Sequence, residues 1–335
     1  MMDYNDRTSE IHSPELLAEE IIRGRRLGRG EDLGVLLSCP LDGLCRGADR
    51  IRAAFCGEKV DLCTIINGKS GRCNGDCKFC AQSAHNCTDI ETYGFLDPQQ
   101  ILTEGKAHET QGVDRFAIVT AGEVLPDEDF SKALMTFRLL RDQTDLQLCA
   151  SMGLLSVEQL VQLKEAGVSR YHENLETSRR NFPNICTTHT FDDKIRTIRA
   201  AQNAGLSVCS GGIIGMGESW EDRLDMALSL AELGVDSVPV NVLTPIPGTP
   251  FEGLPILEEP EILRTIAIFR YIIPQAHIRF AAGRNRCENA GAKAFESGLS
   301  AAITGDMLTT TGSTTKKDRQ MLTALGRVLN DTSMK

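Results

Sequence analysis

The chain has 335 residues, 41% hydrophobic and 24% charged, with a formal net charge of −10. That balance is ordinary for a globular protein. It argues against a nucleic-acid partner, which calls for a basic face, and against an anionic membrane surface. A small anionic substrate stays compatible, because a few local Arg or Lys can grip one. The polar start MMDYNDRTSE has neither the basic head nor the apolar stretch of a signal peptide, and no apolar run is long enough to span a bilayer. A cytoplasmic location is therefore expected. In a reducing compartment, 12 cysteines point to metal or redox chemistry rather than a disulfide framework.

In chain order, helical spacing of apolar residues predicts helices over Pro14–Arg25 and Pro40–Phe55. Beyond these the rhythm changes to short β-like stretches alternating with amphipathic helices. Strands are predicted at Leu62–Ile66, Arg115–Thr120, Leu146–Ser151, Ser169–Leu175, Ser207–Gly212, Asp236–Val242, His277–Ala282 and Ser300–Thr304. Helices are predicted between most of them, at Phe130–Arg141, Val157–Ala166, Phe191–Ala204, Trp220–Leu233 and Glu261–Tyr271. Gly167, Gly205 and Gly234 follow three of these helices closely, as C-terminal stops do. Eight βα units after a helical extension predict an α/β fold, a TIM-type (β/α)8 barrel, with an open doubly wound sheet as the alternative. The expected division is an N-terminal helical extension (1–56), the barrel (57–312), and a polar, partly mobile C-terminal tail (313–335).

Directly after the first strand comes Cys73-Asn-Gly-Asp-Cys77-Lys-Phe-Cys80, a C-x3-C-x2-C triplet with an aromatic before the last cysteine. In a barrel this loop falls on the C-terminal rim, where catalytic groups sit. Gly71 and Gly75 would let the backbone fold tightly enough for three thiolates to converge. Three thiolates hold three irons of a [4Fe–4S] cluster and leave the fourth iron open to chelate S-adenosylmethionine (SAM). A structural zinc with Cys87 as fourth ligand is the competing use, but zinc ligand pairs favour other spacings. The triplet resembles the signature of the radical SAM superfamily.

Further segments carry that resemblance. Ala121-Gly122-Glu123, after the second strand, resembles the superfamily segment whose backbone meets the SAM amino group. Gly211, Ile213, Gly215 and Glu218 fall in register with the G-x-I-x-G-x-x-E segment near the adenine. His172, Asn174 and Glu176 alternate in the fourth strand and would share one face. Together with Asn67-Gly-Lys-Ser-Gly, Val208-Cys209-Ser-Gly-Gly212, Val238-Pro-Val-Asn241 and Ile278-Arg279-Phe-Ala-Ala-Gly-Arg284, these resemble the biotin synthase family from about Cys63 to Thr311.

The resemblance implies an enzyme that converts dethiobiotin to biotin. A 5′-deoxyadenosyl radical would abstract two hydrogens, and an auxiliary Fe–S cluster would donate the sulfur. It implies substrate contacts from His172, Asn174 and Asn241, a ribose contact from Glu176 and a SAM carboxylate contact from Lys194. It also implies a homodimer and a low-potential donor of the flavodoxin or ferredoxin type. The family's auxiliary [2Fe–2S] cluster is held by three Cys and one Arg, which Cys149, Cys209 and Arg279 match. Ala117 occupies the fourth position and cannot ligate iron. Cys63, at a similar depth in the first strand, is the replacement candidate, and an altered or larger cluster is expected. Ser237 and Ser300 are expected in the same polar patch inside the barrel, and Cys186 and Cys287 are weaker ligand candidates. Hydrogenase maturases and methylornithine synthases are the rival enzymes, and a non-catalytic Fe–S redox sensor is the rival from another class.

Overall fold

The computed structural model of the chain describes residues 13–310 and 312–330. Helices α1 (Pro14–Ile22), α2 (Gly34–Ser38) and α3 (Leu41–Cys56) precede the first strand. The βα series then runs β1 (Asp61–Lys69), α4 (Pro98–Thr110), β2 (Arg115–Thr120), α5 (Asp127–Gln143), β3 (Gln147–Ser151), α6 (Val157–Glu165) and β4 (Val168–His172). It continues with α7 (Phe182–Ile185), α8 (Phe191–Asn203), β5 (Ser207–Cys209), β6 (Gly212–Ile214), α9 (Trp220–Leu233) and β7 (Ser237–Val242). It ends with α10 (Glu259–Ile272), β8 (His277–Phe280), α11 (Ala292–Phe295), β9 (Ala301–Ile303) and α12 (Thr315–Ala324).

All neighbouring strands are parallel, and pairing of β9 with β1 and of β5 with β7 closes the sheet on itself. The result is an eight-staved barrel in which β5 and β6 are two halves of the fifth stave. The open-sheet alternative is set aside by that closure. The fifth stave breaks where the chain crosses its neighbours most closely. A Cβ on Gly211 would lie 2.0 Å from the Pro239 carbonyl oxygen, and one on Gly212 would lie 2.4 Å from that of Glu176. Any side chain at either position would push the barrel wall apart.

Local sequence accounts for the helix ends. Ser156 with Gln159, Thr190 with Asp193 and Ser219 with Asp222 form reciprocal capping boxes at α6, α8 and α9. Gly167, Gly205 and Gly234 all take positive φ just beyond their helices, as the sequence predicts. Helix α5 starts earlier than expected because Asp127, Glu128 and Asp129 suit the positive end of a helix dipole.

The N-terminal extension packs on α10 through a close approach at Gly47, where a Cβ would collide with the Tyr271 hydroxyl. Tyr271 donates in turn to the Pro14 carbonyl at 2.7 Å. Residues 312–330 are more ordered than a polar tail suggests. Helix α12 buries Leu322 and Asp318, and Asp318 forms an ion pair with buried Arg284. The readings made on residues 1–12 and 331–335 lie outside the described residues.

Candidate active site

A cavity of about 390 Å³ runs into the barrel from its C-terminal rim. Cys73, Cys77 and Cys80 line the rim, while Cys63, Cys149, Cys209 and Arg279 line the interior. All 12 cysteines are free.

The rim loop is held by its own backbone. Gly71 (φ 75°) and Arg72 (φ 55°) take left-handed conformations that turn the chain out of β1, and a Cβ on Gly71 would meet Thr92 Oγ1 at 2.6 Å. The expectation for Gly71 therefore holds. Gly75 does not need its freedom, since a Cβ there would make only ordinary contacts. Cys73 N–H donates to the Gln82 carbonyl at 3.0 Å, and the Asn86 amide donates to the carbonyls of Cys77 (3.2 Å) and Cys80 (2.8 Å). Gly75 N–H donates to Cys73 Sγ at 3.4 Å. Burial pushes the Cys80 thiol up to about 11, so an electropositive partner is needed to ionise it. Cys87 is exposed and outside the cavity lining, so the rim offers it no place as a fourth zinc ligand.

Ala121, Gly122 and Glu123 line one wall beside the triplet, and Glu123 N–H donates to Asn74 Oδ1 at 3.2 Å. Thr120 lines the same wall, and its buried hydroxyl has no protein partner, as expected for a group reserved for a ligand. Opposite, β4 ends at His172, earlier than predicted. Asn174 and Glu176 reach the cavity from the turn that follows rather than from one strand face.

Glu176 has φ 68°, a left-handed conformation that a non-glycine residue adopts at a cost. Its backbone is locked to the fifth stave by Glu176 N–H to the Gly211 carbonyl (3.1 Å) and Ile213 N–H to the Glu176 carbonyl (2.9 Å). Burial raises its carboxyl pKa, with Lys194 and His172 opposing. Lys194 is paired with Glu173, and all three of these charged groups line the cavity.

Asn174 accepts from Gly211 N–H at 3.0 Å, and Asn241 joins the Gly212 carbonyl (3.1 Å) to Ala282 N–H (3.2 Å). Each asparagine thus braces the wall while facing the cavity. Of the glycine-rich segment, Ile213 alone lines the cavity. Gly215 and Glu218 lie behind it, where the Glu218 carboxylate accepts from Gly215 N–H (2.8 Å), Met216 N–H (2.7 Å) and Arg223 Nε (2.7 Å). Glu218 and Gly211 therefore shape the wall without reaching its surface.

The interior gathers several buried charges in one layer. Strand register sets Cys63 beside Arg115, Ala117 beside Cys149, Cys149 beside Arg170, and His172 beside Cys209. Arg115, Arg170 and Arg279 converge on Asp61 Oδ2 at 3.0, 3.7 and 3.2 Å. Despite the cost of its burial, these three guanidinium groups hold the Asp61 carboxyl well below the usual carboxylate range.

Three cations therefore share one carboxylate, and Nη1 of Arg170 and Nη2 of Arg279 meet it as ion pairs without a well-formed hydrogen bond. An anionic group is missing from the charge balance, and three thiolates with sulfide would supply it. Burial pushes up the thiols of Cys63 and Cys149, against the pull of Arg279 and of Arg115 respectively. Cys209 is different: His172, Arg279 and Arg170 overcome burial and bring it down to about 6. The donor set fits an auxiliary iron–sulfur cluster.

Ser300 is not in this patch. It accepts from Arg270 Nη2 at 3.1 Å and lies outside the cavity lining. Buried Ser237, between Cys209 and His277 in register, has an unpartnered hydroxyl but, like Ser300, lies outside the cavity lining. Cys287 is buried away from the cavity, whereas Cys186 approaches the rim triplet. Sequence reasoning missed Asp61, Arg115 and Arg170. Their signal was the presence of charged residues inside strands that otherwise read as apolar. It also missed Met307–Thr310, which closes the cavity from the β9 side and carries no distinctive pattern.

A parallel barrel with a cysteine triplet at its rim defines the radical SAM class of enzyme, and residues 69–230 match the Radical SAM superfamily. Residues 239–328 match the Biotin and Thiamin Synthesis associated domain. The chain is 60% identical over 312 residues to the biotin synthase of Clostridium beijerinckii, covering 93% of this chain and 99% of that protein. It is 56% identical over 310 residues to that of Alkaliphilus metalliredigens, covering 92% and 98%. The chain belongs to the biotin synthase family. Among solved structures it resembles a methylornithine synthase (TM-score 0.82, 21% identity, covering 95% of this chain and 98% of that one). It also resembles an [FeFe]-hydrogenase maturase (TM-score 0.79, 16% identity, covering 94% and 74%). At those identities the likeness is one of fold.

Proposed function

We infer that this chain converts dethiobiotin to biotin by radical sulfur insertion. The observation that carries the reading is a single cavity with one set of three cysteines at its rim and another set with Arg279 in its interior. When bound, a [4Fe–4S] cluster with SAM supplies a 5′-deoxyadenosyl radical for hydrogen abstraction, and an auxiliary cluster supplies the sulfur.

The chain's own part is to bind, orient and shield. Cys73, Cys77 and Cys80 hold the first cluster. Ala121, Gly122, Glu123, Ile213, Glu176 and Lys194 form the SAM walls, backed by Gly211, Gly215 and Glu218. His172, Asn174 and Asn241 face the substrate between the two cysteine sets. Cys149, Cys209, Arg279 and Cys63 hold the auxiliary cluster, with Ala117 leaving it altered from, or larger than, [2Fe–2S].

The family likeness further supports a homodimer, a flavodoxin- or ferredoxin-type donor and a cytoplasmic site. Among the described residues no helix is long and apolar enough to cross a membrane. The chain is proposed to comprise a helical extension (1–56), the catalytic barrel (57–312) and a C-terminal segment (313–335) that packs on it.

The two-cluster reading is tested on the Cys73/Cys77/Cys80→Ala protein, reconstituted anaerobically, by iron and sulfide counts with Mössbauer spectra. A residual cluster that disappears on further Cys149→Ala substitution is expected. No residual cluster would overturn the reading.

A further inference from the structure

Cys186 and His189 lie in the short connection between α7 and α8, and none of the roles above uses them. That connection is tied to the rim loop on both sides of Cys77. Asp76 accepts from Thr187 N–H (2.8 Å), Thr188 N–H (3.1 Å), Thr188 Oγ1 (3.1 Å) and Cys186 Sγ (3.1 Å). On the other side, Lys78 N–H donates to the Ile185 carbonyl at 2.9 Å. Cys77 is thereby fixed opposite Cys186. The His189 ring is held edge-on to Phe182 at 5.8 Å, with Nδ1 3.3 Å from Thr188 Oγ1.

The outcome is a compact donor set from two separate segments. One ligand atom each from Cys77, Cys186 and His189 lies within 4.8 Å of the others. In a tetrahedral zinc-type site, ordinary bond lengths place two sulfurs about 3.8 Å apart, and a sulfur and a nitrogen about 3.6 Å apart. Cys186 Sγ is 3.5 Å from Nδ1 and 3.7 Å from Nε2 of His189, so either nitrogen already sits at a tetrahedral edge. Thr188 supplies the outer hydrogen bond that fixes the ring of a ligating histidine. Asp76 stays outside the ligand set and anchors the loop, its carboxylate held by the backbone N–H and hydroxyl groups of Thr187 and Thr188.

We propose that, in the cluster-free chain, Cys77, Cys186 and His189 bind one divalent ion of the zinc class, with water as the fourth ligand. Cysteine ligands bind such an ion as thiolates, so metal uptake releases whatever protons they still carry. Since Cys77 also belongs to the rim triplet, and on the reading of that triplet as the cluster site, the ion and the [4Fe–4S] cluster exclude one another. A thiolate–imidazole site selects zinc or ferrous iron over magnesium or calcium. The site therefore makes cluster loading sensitive to free zinc.

The test is Co2+ titration of the reduced, cluster-free full chain, followed by its thiolate-to-cobalt charge-transfer and d–d absorption, then displacement by Zn2+. One equivalent with tetrahedral d–d bands is expected. Cys186→Ser and His189→Ala should each weaken binding by more than the roughly 10- to 100-fold that loss of an outer-shell partner costs, while circular dichroism is retained. Cys73→Ser and Cys80→Ser should leave the bands in place. Cobalt bands that depend on Cys73 and Cys80 but not on Cys186 and His189 would overturn the proposal, as would absence of thiolate bands. The Cys186→Ser protein should still load the rim cluster to the wild-type iron count. A loss of loading in Cys73→Ser with the cobalt site intact would separate the cluster reading from this one.

Discussion

Replacing Asp61 by Asn would leave the three guanidinium groups of Arg115, Arg170 and Arg279 buried in the barrel without a counter-charge. Their side chains are 12%, 7% and 2% exposed, so water offers them little compensation. At about 3.2 Å and an effective dielectric near 20, each close pair is worth about 5 kcal/mol before desolvation. Removing one partner of a buried ion pair costs about 3–5 kcal/mol net. For a chain of this size each kcal/mol shifts the melting temperature by about 2 °C, so cluster-free Asp61→Asn should melt roughly 6–10 °C below wild type. The loss should shrink once the auxiliary cluster is loaded, because thiolate and sulfide charge then replaces the carboxylate.

The pH dependence has a definite sign. The Asp61 carboxyl is lowered in the fold, so its contribution is complete above the unfolded value, about 3.9, and is lost as pH falls below it. Wild type should therefore lose more stability below about pH 4 than the Asn variant, which keeps only the losses of the other lowered carboxylates such as Asp76 and Asp222. Anaerobic calorimetry of both forms is the assay. A shift under about 2 °C in cluster-free protein, where about 1 kcal/mol is the most it could represent, would refute the charge argument.

Glu176→Gly should relieve the left-handed strain and hold or raise the melting temperature by about 1 kcal/mol equivalent, while removing the carboxylate. SAM affinity of the reconstituted protein should then fall roughly 10- to 100-fold, the worth of a charge-assisted hydrogen bond, by isothermal titration. Ala117→Cys, in register with Cys149, restores a fourth thiol to the interior. Mössbauer spectra and sulfide counts should move toward a [2Fe–2S] auxiliary cluster, and an unchanged spectrum would contradict the assignment. Arg284→Met strands buried Asp318 and should cost about 3–5 kcal/mol in chemical denaturation. It should also raise KM for substrate, because Arg284 holds the Ile303 carbonyl just before the Gly305–Ser313 bridge, and Met307–Thr310 line the cavity beyond it.

The cysteine triplet was legible because its spacing is a local property, and the barrel because eight βα units repeat one pattern. The break in the fifth stave was not legible. It arises from close approach of Gly211 to Pro239 and of Gly212 to Glu176, contacts between segments far apart in sequence. Glu218 read as a cofactor contact because its motif says nothing of whether a side chain faces the cavity or braces the loop behind it. The three-arginine cluster around Asp61 stayed hidden for a related reason: only strand register brings those residues into one layer. Cys186 looked like a weak candidate until Asp76 and Lys78 were seen to fasten its loop against Cys77.

The claim that both cysteine sets serve one reaction is tested most directly by isotope. The chain is reconstituted with sulfur-34 in the interior cluster, then supplied anaerobically with dethiobiotin, SAM and a low-potential reductant, and biotin is read by mass spectrometry. Biotin carrying the heavy sulfur is the result expected. 5′-Deoxyadenosine without biotin, or biotin with sulfur of natural mass, would contradict it.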